Sequence, residues 1–143
     1  MIEVEVEADV WSAVPEVETI VSRAAGAALG TLEGDVVVLL TDDVAVRELN
    51  ARFRDKDRPT NVLSFPAPEN AFPHLGDIVL AHGVCAEEAK AQGKTLADHL
   101  SHLVVHGVLH LLGHDHEDEA EAERMEALER AALARLAIPD PYA

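Results

Sequence analysis

Three histidines near the end of one apolar segment have the spacing of a metal site. His106 and His110 are four residues apart, so on a helix their rings project together from adjacent turns. They can share one ion at a Zn–N distance of about 2.0–2.1 Å. Gly113 permits a left-handed turn that ends the helix and brings His116 back towards the same point. The spacing therefore predicts one Zn2+ ion held by His106, His110 and His116.

Three imidazoles leave one position of a tetrahedral ion open. Structural zinc is usually closed by four protein ligands, whereas catalytic zinc keeps a place for water and lowers the pKa of that water to about 7. The pattern favours a hydrolase whose nucleophile is zinc-bound water. The spacing H-x3-H-x5-H, with a glycine three residues after the second histidine, is also that of the metzincin peptidases. Gly107 stands where those peptidases have a general-base glutamate, so peptide hydrolysis is the weaker interpretation.

Further polar residues surround the predicted ligands. His99 and His102 fall on the same side of the predicted helix, one to two turns earlier, where we expect supporting or purely structural roles. Asp115 can orient an imidazole through the ring nitrogen that faces away from the ion, and a solvated turn residue is the alternative. The acidic residues between 117 and 123 most simply predict a solvated helix face.

The elements that must position these residues alternate between strand and helix patterns. Period-two or continuous apolar segments predict four strands, at residues 2–7, 36–40, 62–65 and 77–80. Helical spacing and capping residues predict five helices, at residues 15–30, from 42 to before 57, 86–92, 96–112 and 117–137. The proline-rich segment 66–76 is a candidate wall for a substrate. The sequence predicts an α+β fold in which a small mixed sheet of about four strands packs against a buried metal-bearing helix and further helices.

Length and composition favour one domain over residues 1–143, with 48% hydrophobic residues. The first residues lack the pattern of a signal peptide, and no apolar stretch approaches the roughly 20 residues of a membrane span. Cys85 is the only cysteine, which makes a reducing, cytoplasmic setting the simpler expectation. The net charge of −16 argues against a nucleic-acid substrate, although a local cleft of arginine and metal charge can still bind phosphate.

Three blocks of the sequence resemble one known family. The segment HGVLHLLGHDH at 106–116 is similar to the H-G-x-L-H-L-x-G-[YH]-D-H signature of the YbeY family of ribosomal RNA maturation factors. The segment LNARFRDKDRPTNVLSFP at 49–66 and the segment GDIV at 76–79 are similar to two further blocks of that family, in the same order. The resemblance covers the chain from Leu49 to His116, and His114 departs from the tyrosine that is frequent there.

The resemblance implies the same α+β fold and a zinc-dependent endoribonuclease. It implies that His106, His110 and His116 are the zinc ligands and that Arg54 is a functional arginine. A guanidinium suits such a role, because it can hold two phosphate oxygens and stabilise charge that develops on phosphorus. Ser64 and Asn61 are candidate substrate-binding residues, although hydrogen bonds at a strand end explain them equally well.

The biological role implied by the resemblance is single-strand-specific cleavage in small-subunit ribosomal RNA maturation and ribosome quality control. The implied partners are ribosomal RNA and the small ribosomal subunit, with a ribosome-associated GTPase and a small-subunit protein as helpers, and no membrane. Two alternatives stay open at this point. One is a zinc peptidase or other metallohydrolase, favoured by the metzincin spacing and the acidic composition. The other is a non-catalytic ribosome-assembly factor in which zinc only stabilises the fold.

Overall fold

A computed structural model describes all residues, 1–143, and contains four strands and five helices. The strands are β1 (Ile2–Val6), β2 (Asp35–Thr41), β3 (Val62–Pro66) and β4 (His74–Ala81). The helices are α1 (Val17–Leu29), α2 (Asp43–Arg54), α3 (His82–Ala91), α4 (Leu96–Leu111) and α5 (Glu119–Arg135). Short 3-10 helices occupy Asp9–Ala13 and Glu69–Ala71. None of the helices is both long and apolar enough to cross a bilayer.

The four strands form one mixed sheet in the order β1-β2-β4-β3. β1 and β4 both run parallel to β2, while β3 pairs antiparallel with β4. The segment between β3 and β4 contains the second 3-10 helix and returns the chain to the same sheet, so β3 becomes an edge strand next to β4. The α+β class with a small mixed sheet of four strands is therefore confirmed.

The sheet buries both of its faces because successive side chains of a strand point in opposite directions. Val38 of β2 and Ile78 of β4 belong to the large core that includes residues of α1, α4 and α5. On the opposite face, Leu63 of β3 and Val79 of β4 pack with Val46 of α2 in a second, smaller core. Helix α4 thus packs against β3 and β4 of the sheet and against both α1 and α5, as its nearly all-round apolar sequence predicts.

Helix α4 begins where the sequence indicates, and its N-terminus is capped by Thr95, whose hydroxyl accepts a hydrogen bond from the Asp98 N–H at 3.1 Å. Its middle lies unusually close to the sheet at Gly107. A Cβ atom added there would come within 3.0 Å of two side-chain carbons of Ile78. The helix can approach β4 this closely only because residue 107 has no side chain.

Most element boundaries differ from the sequence-based expectations by at most two residues, and the starts of β4 and α3 differ by three and four. β4 begins at His74 rather than at residue 77, because the backbone of Asp35 and of Ala67 continues the hydrogen bonding on both sides of it. α3 begins at His82 rather than at 86, and α5 begins at Glu119 rather than at 117. The start of α3 has no local cap; instead the Asp43 carboxylate of α2 accepts a hydrogen bond from the Val84 N–H at 3.1 Å. A cap supplied by another helix leaves no signal in the local sequence.

Candidate metal centre

The structure brings His106, His110 and His116 together at the end of α4. One nitrogen from each ring lies within 4.8 Å of the corresponding nitrogens of the other two. The Nε2 atoms of His106 and His110 are 3.1 Å apart. Two nitrogens bound to one tetrahedral zinc at about 2.0–2.1 Å would be separated by about 3.3–3.4 Å, so the pair is already close to the spacing that an ion requires.

The turn after α4 places the third histidine. Gly113 has a φ of +95°, in the region that favours glycine, and its N–H donates to the His110 carbonyl at 3.0 Å. The His114 N–H donates to the Leu109 carbonyl at 3.0 Å. These two bonds satisfy the last carbonyls of the helix and reverse the chain, so that His116 returns to the first two rings.

The protonation of His110 also suits a ligand. Burial, followed by the nearby rings of His106 and His116, lowers the pKa of His110 below its ordinary value of 6.5. The neutral form is therefore favoured near neutral pH, and only a neutral imidazole has the lone pair that a metal ion requires. The number and type of the donors fit one divalent transition metal ion.

A buried glutamate that the sequence did not single out lies behind His106. Glu129 of α5 is only 1% exposed. Its Oε2 atom lies 3.3 Å from Nδ1 of His106, and its Oε1 atom accepts hydrogen bonds from Nε2 of His102 and from the Tyr142 hydroxyl. A carboxylate in this position keeps the proton of His106 on Nδ1, so that Nε2 is free to face the ion.

The hydrogen bonds of Glu129 also decide its charge. Burial alone would raise the pKa of its carboxyl group, but the bonds from His102, His106 and Tyr142 lower it to about 2. The same arrangement raises the pKa of the Tyr142 hydroxyl, through burial and through its bond to Glu129. Glu129 is thus an ionised group held by three donors.

One sequence signal for Glu129 did exist. Helical spacing places Met125, Leu128, Ala132 and Leu136 on one apolar side of α5, but Leu128 is exposed and Glu129 is buried with Met125 and Ala132. Glu129 is four residues after Met125 and four before the buried Leu133, so it is a charged residue within the buried side of an amphipathic helix. Such a residue requires a partner and indicates a site.

The expected carboxylate for this role, Asp115, has a different contact. Its Oδ1 atom accepts a hydrogen bond from the His116 N–H at 2.7 Å, which stabilises the turn before the third ligand. His102 is bound to Glu129, and Nε2 of the buried His99 lies 2.8 Å from Oε1 of Glu88 on α3. Both histidines therefore have polar partners outside the three-ring cluster, in agreement with supporting roles.

A cavity of about 570 Å³ opens onto the three rings, and Arg54 and Ser64 are in its wall. The Arg54 guanidinium donates from Nη2 to the Ser64 carbonyl at 2.9 Å, and it lies over the Phe65 ring at 5.9 Å. The Ser64 hydroxyl donates to the Gly107 carbonyl at 3.4 Å. Asn61 also lines the cavity, with its amide bound to the Glu88 carboxylate. β3 thus holds Arg54 at the mouth of the metal centre.

Gly107 faces the sheet and not the cavity. Its missing Cβ would contact Ile78 of β4 at 3.0 Å, and Gly107 is not among the residues that line the cavity. The metzincin-like spacing therefore does not extend to a general base, because this position has neither the side chain nor the space for a glutamate.

Comparison with known proteins places these features in a family context. A family model described as "Endoribonuclease YbeY" matches residues 3–137. An "Endoribonuclease YbeY" of Chelativorans sp. is 57% identical over 132 residues, which are 89% of this chain and 81% of that protein. Another protein of that name, from Azorhizobium caulinodans, is 54% identical over 152 aligned residues, which cover 99% of this chain and 96% of that protein.

A solved structure agrees with these matches. The solution structure of a protein from Thermotoga maritima aligns with a TM-score of 0.61 and 26% sequence identity, covering 100% of this chain and 96% of that chain. The similarity extends over the whole fold and not only over the histidine motif.

Proposed function

The chain belongs to the YbeY family of endoribonucleases, and on this basis we propose that it is a zinc-dependent endoribonuclease that cleaves single-stranded RNA. The observation that supports this function most directly is the common cavity of the three histidines and Arg54. Metal ligands with an open coordination position can activate a water molecule, and an arginine beside them can stabilise the charge that develops during phosphodiester cleavage.

The proposed metal is zinc, because three imidazoles with no thiolate or carboxylate among them form a common catalytic zinc set. His106, His110 and His116 would hold the ion. Zinc bound there would act as a Lewis acid and lower the pKa of a coordinated water to about 7. The contribution of Glu129 is to hold His106 in the tautomer that binds metal, and its low pKa keeps it ionised in this role.

Arg54 would bind the phosphodiester. One of its five N–H groups is used by the Ser64 carbonyl, so the guanidinium is fixed in direction while its remaining donors are available to the cavity. A fixed guanidinium can hold two phosphate oxygens and stabilise the negative charge that increases as the new P–O bond forms. Ser64 supports Arg54 through its backbone, and we retain its hydroxyl as a candidate substrate contact.

The proposed substrate is the ribosomal RNA of the small subunit, cleaved in the cytoplasm during its maturation and in ribosome quality control. The similarity to proteins named "Endoribonuclease YbeY" supports the RNA substrate. The proposed partners are the small ribosomal subunit, one of its proteins and a ribosome-associated GTPase, as the family resemblance implies.

The test combines an in vitro and an in vivo assay. We expect His110→Ala to lose zinc and RNA cleavage together, and Arg54→Ala to keep zinc but to lose about 100- to 1,000-fold in kcat, the loss expected for one transition-state donor. Arg52→Ala is the matched control, because Arg52 is exposed and lines a different cavity. A folded, zinc-loaded protein that leaves single-stranded RNA intact would contradict the nuclease function. If His110→Ala and Arg54→Ala also restored ribosomal RNA processing in a deletion strain, a non-catalytic assembly role would replace it.

A further inference from the structure

A groove beside the metal centre contains an unusual concentration of positive charge. The chain has 11 lysines and arginines against 27 acidic residues, yet five of the 11 lie in the twelve residues from 47 to 58. Arg47 pairs with Asp57 at 2.8 Å, and Arg52 faces another cavity. The other three, Arg54, Lys56 and Arg58, are exposed and form no ion pair with a carboxylate. Their charge is available to a ligand.

These three side chains line one cavity of about 410 Å³, which we call the cationic groove. The rest of its wall is Asn50, Val62, Leu63 and the 59–60 segment, so no aspartate or glutamate takes part. Each of the four other main cavities includes at least one carboxylate in its wall. In a chain with a net charge of −16, this groove has a wall that carries positive charge and no carboxylate. Asp55 and Asp57 flank Lys56 along the chain but lie outside this wall, and Asp57 is paired with Arg47.

The cationic groove adjoins the metal-centre cavity. Arg54, Val62 and Leu63 belong to the walls of both. The wall of the metal-centre cavity also contains Asp115 and Glu117, which are absent from the cationic groove. A negatively charged strand is therefore attracted to the part of the wall that the two cavities share and repelled by the carboxylates of the metal-centre cavity.

The backbone that presents the cations is fixed by the buried Asn50, which is 3% exposed. The side-chain amide of Asn50 donates to the Arg58 backbone carbonyl at 2.8 Å, and the backbone carbonyl of Asn50 accepts from the Lys56 N–H at 3.2 Å. The segment after α2 is thus tied to the last turns of that helix. A groove held in this way loses little conformational entropy when it binds a ligand.

We propose that the cationic groove is a phosphate-binding subsite for single-stranded RNA. Lys56 and Arg58 hold the backbone phosphate next to the one that is cleaved, on one side of the scissile bond only. This inference rests on the proposed function, since it assumes an RNA strand in the metal centre. It also accounts for RNA binding by an acidic protein: the strand is held by a short cationic segment, while the acidic surface elsewhere restricts its path.

The first test measures binding without cleavage. The metal-loaded protein is titrated into a fluorescent 2′-O-methyl phosphorothioate oligoribonucleotide at several salt concentrations, and the strand is checked afterwards for integrity. We expect Lys56→Gln and Arg58→Gln each to weaken binding about three- to fivefold at low salt, as for an exposed ion pair. Each should also reduce the slope of log K against log salt by about 0.7, the value for one single-strand phosphate contact. Lys56→Arg and Arg58→Lys should retain most of the binding.

Matched controls separate the groove from general charge effects. Lys90→Gln and Arg23→Gln remove the same charge from exposed positions on α3 and α1, and we expect both to bind as the wild type does. Urea unfolding of each variant verifies that the fold is intact. Equal losses in the controls and in the groove variants would overturn the proposal. Lys94 is in the wall of another cavity that also contains His106. If Lys94→Gln weakened RNA binding while Lys56→Gln did not, that result would also overturn the proposal.

The second test uses cleavable RNA shortened on either side of its mapped cleavage position. With the full strand, the Lys56→Gln/Arg58→Gln double variant should show a KM raised about tenfold or more, the combined effect of two lost phosphate contacts, with kcat nearly unchanged. Shortening on one side should remove the difference between wild type and double variant, and shortening on the other side should preserve it. If the wild type cleaves RNA but the double variant behaves like it at every length, the groove proposal fails and the proposed function stands. If the wild type binds the strand through Lys56 and Arg58 but cleaves nothing, the nuclease function fails and the binding groove stands.

Discussion

Replacement of Glu129 should weaken the metal centre although this residue touches no metal. In the Glu129→Gln variant the shape of the side chain is retained, but an amide NH2 group replaces one carboxylate oxygen. The wild-type carboxylate accepts from His106, His102 and Tyr142, and an amide has only one oxygen to offer these donors. His106 then loses the interaction that keeps its proton on Nδ1.

The magnitude follows from the burial of Glu129 and the number of its partners. Loss of a carboxylate behind a metal-binding histidine typically reduces metal affinity about 10- to 100-fold, or about 1.4–2.7 kcal/mol. The fold should lose about 1–3 kcal/mol in Glu129→Gln, because a donor now faces a donor inside the protein. Glu129→Ala should lose about 3–5 kcal/mol, because it leaves the buried partners of the carboxylate unpaired at a site that is 1% exposed.

Two measurements check this prediction. Competition with a chromophoric chelator gives the zinc affinity, and urea unfolding of the metal-free protein gives the free energy of unfolding. Glu123→Gln is the matched control, because Glu123 is an exposed glutamate of the same helix, and it should change neither quantity. A folded Glu129→Gln protein with wild-type zinc affinity would refute the positioning role.

Three further predictions concern the fold. Gly107→Ala should lower the free energy of unfolding by about 1–3 kcal/mol in thermal or urea unfolding, because its Cβ would meet Ile78 at 3.0 Å. Gly26→Ala, in open space on α1, should instead raise it by about 0.5–1 kcal/mol, and equal effects of the two would contradict the close approach of α4 to the sheet. Burial raises the pKa of Cys85 to about 12, so a thiol reagent at pH 8 should react only after unfolding, and fast reaction of the native protein would be evidence against this burial. Burial lowers the pKa of His99 below 6.5, so on acidification the unfolded chain takes up a proton at a higher pH than the folded protein does. The free energy of unfolding of the metal-free protein should therefore decrease as the pH is lowered through 6.5, and the decrease should be less steep in His99→Gln.

The cluster of three histidines was predictable from the sequence because its parts are local. His106 and His110 are one turn apart, and His116 follows after a glycine that ends the helix, so a single helix and its turn determine the geometry. Glu129 was not predicted because it reaches His106 only through the packing of α5 on α4. The start of α3 was missed for the same reason, since its cap comes from Asp43 of α2.

The charge of the chain shows the limit of a composition argument. A net charge of −16 argues against RNA as an average over the surface, and the sequence shows a cluster of cations at residues 47–58 without showing where their side chains point. Only the fold pairs Arg47 with Asp57 and leaves Arg54, Lys56 and Arg58 in one wall without carboxylates. The distribution of charge, and not its sum, decides which ligand the site can take.

The most direct test of the proposed function is a stoichiometric titration of activity with metal. Zinc is added in steps to the metal-free protein, and cleavage of a single-stranded RNA is measured at each step beside His110→Ala. The three-histidine site predicts that activity rises in proportion to zinc, stops rising at one equivalent, and is absent from the variant at every step. Cleavage by the metal-free protein in the presence of a chelator, or equal cleavage by His110→Ala, would contradict it.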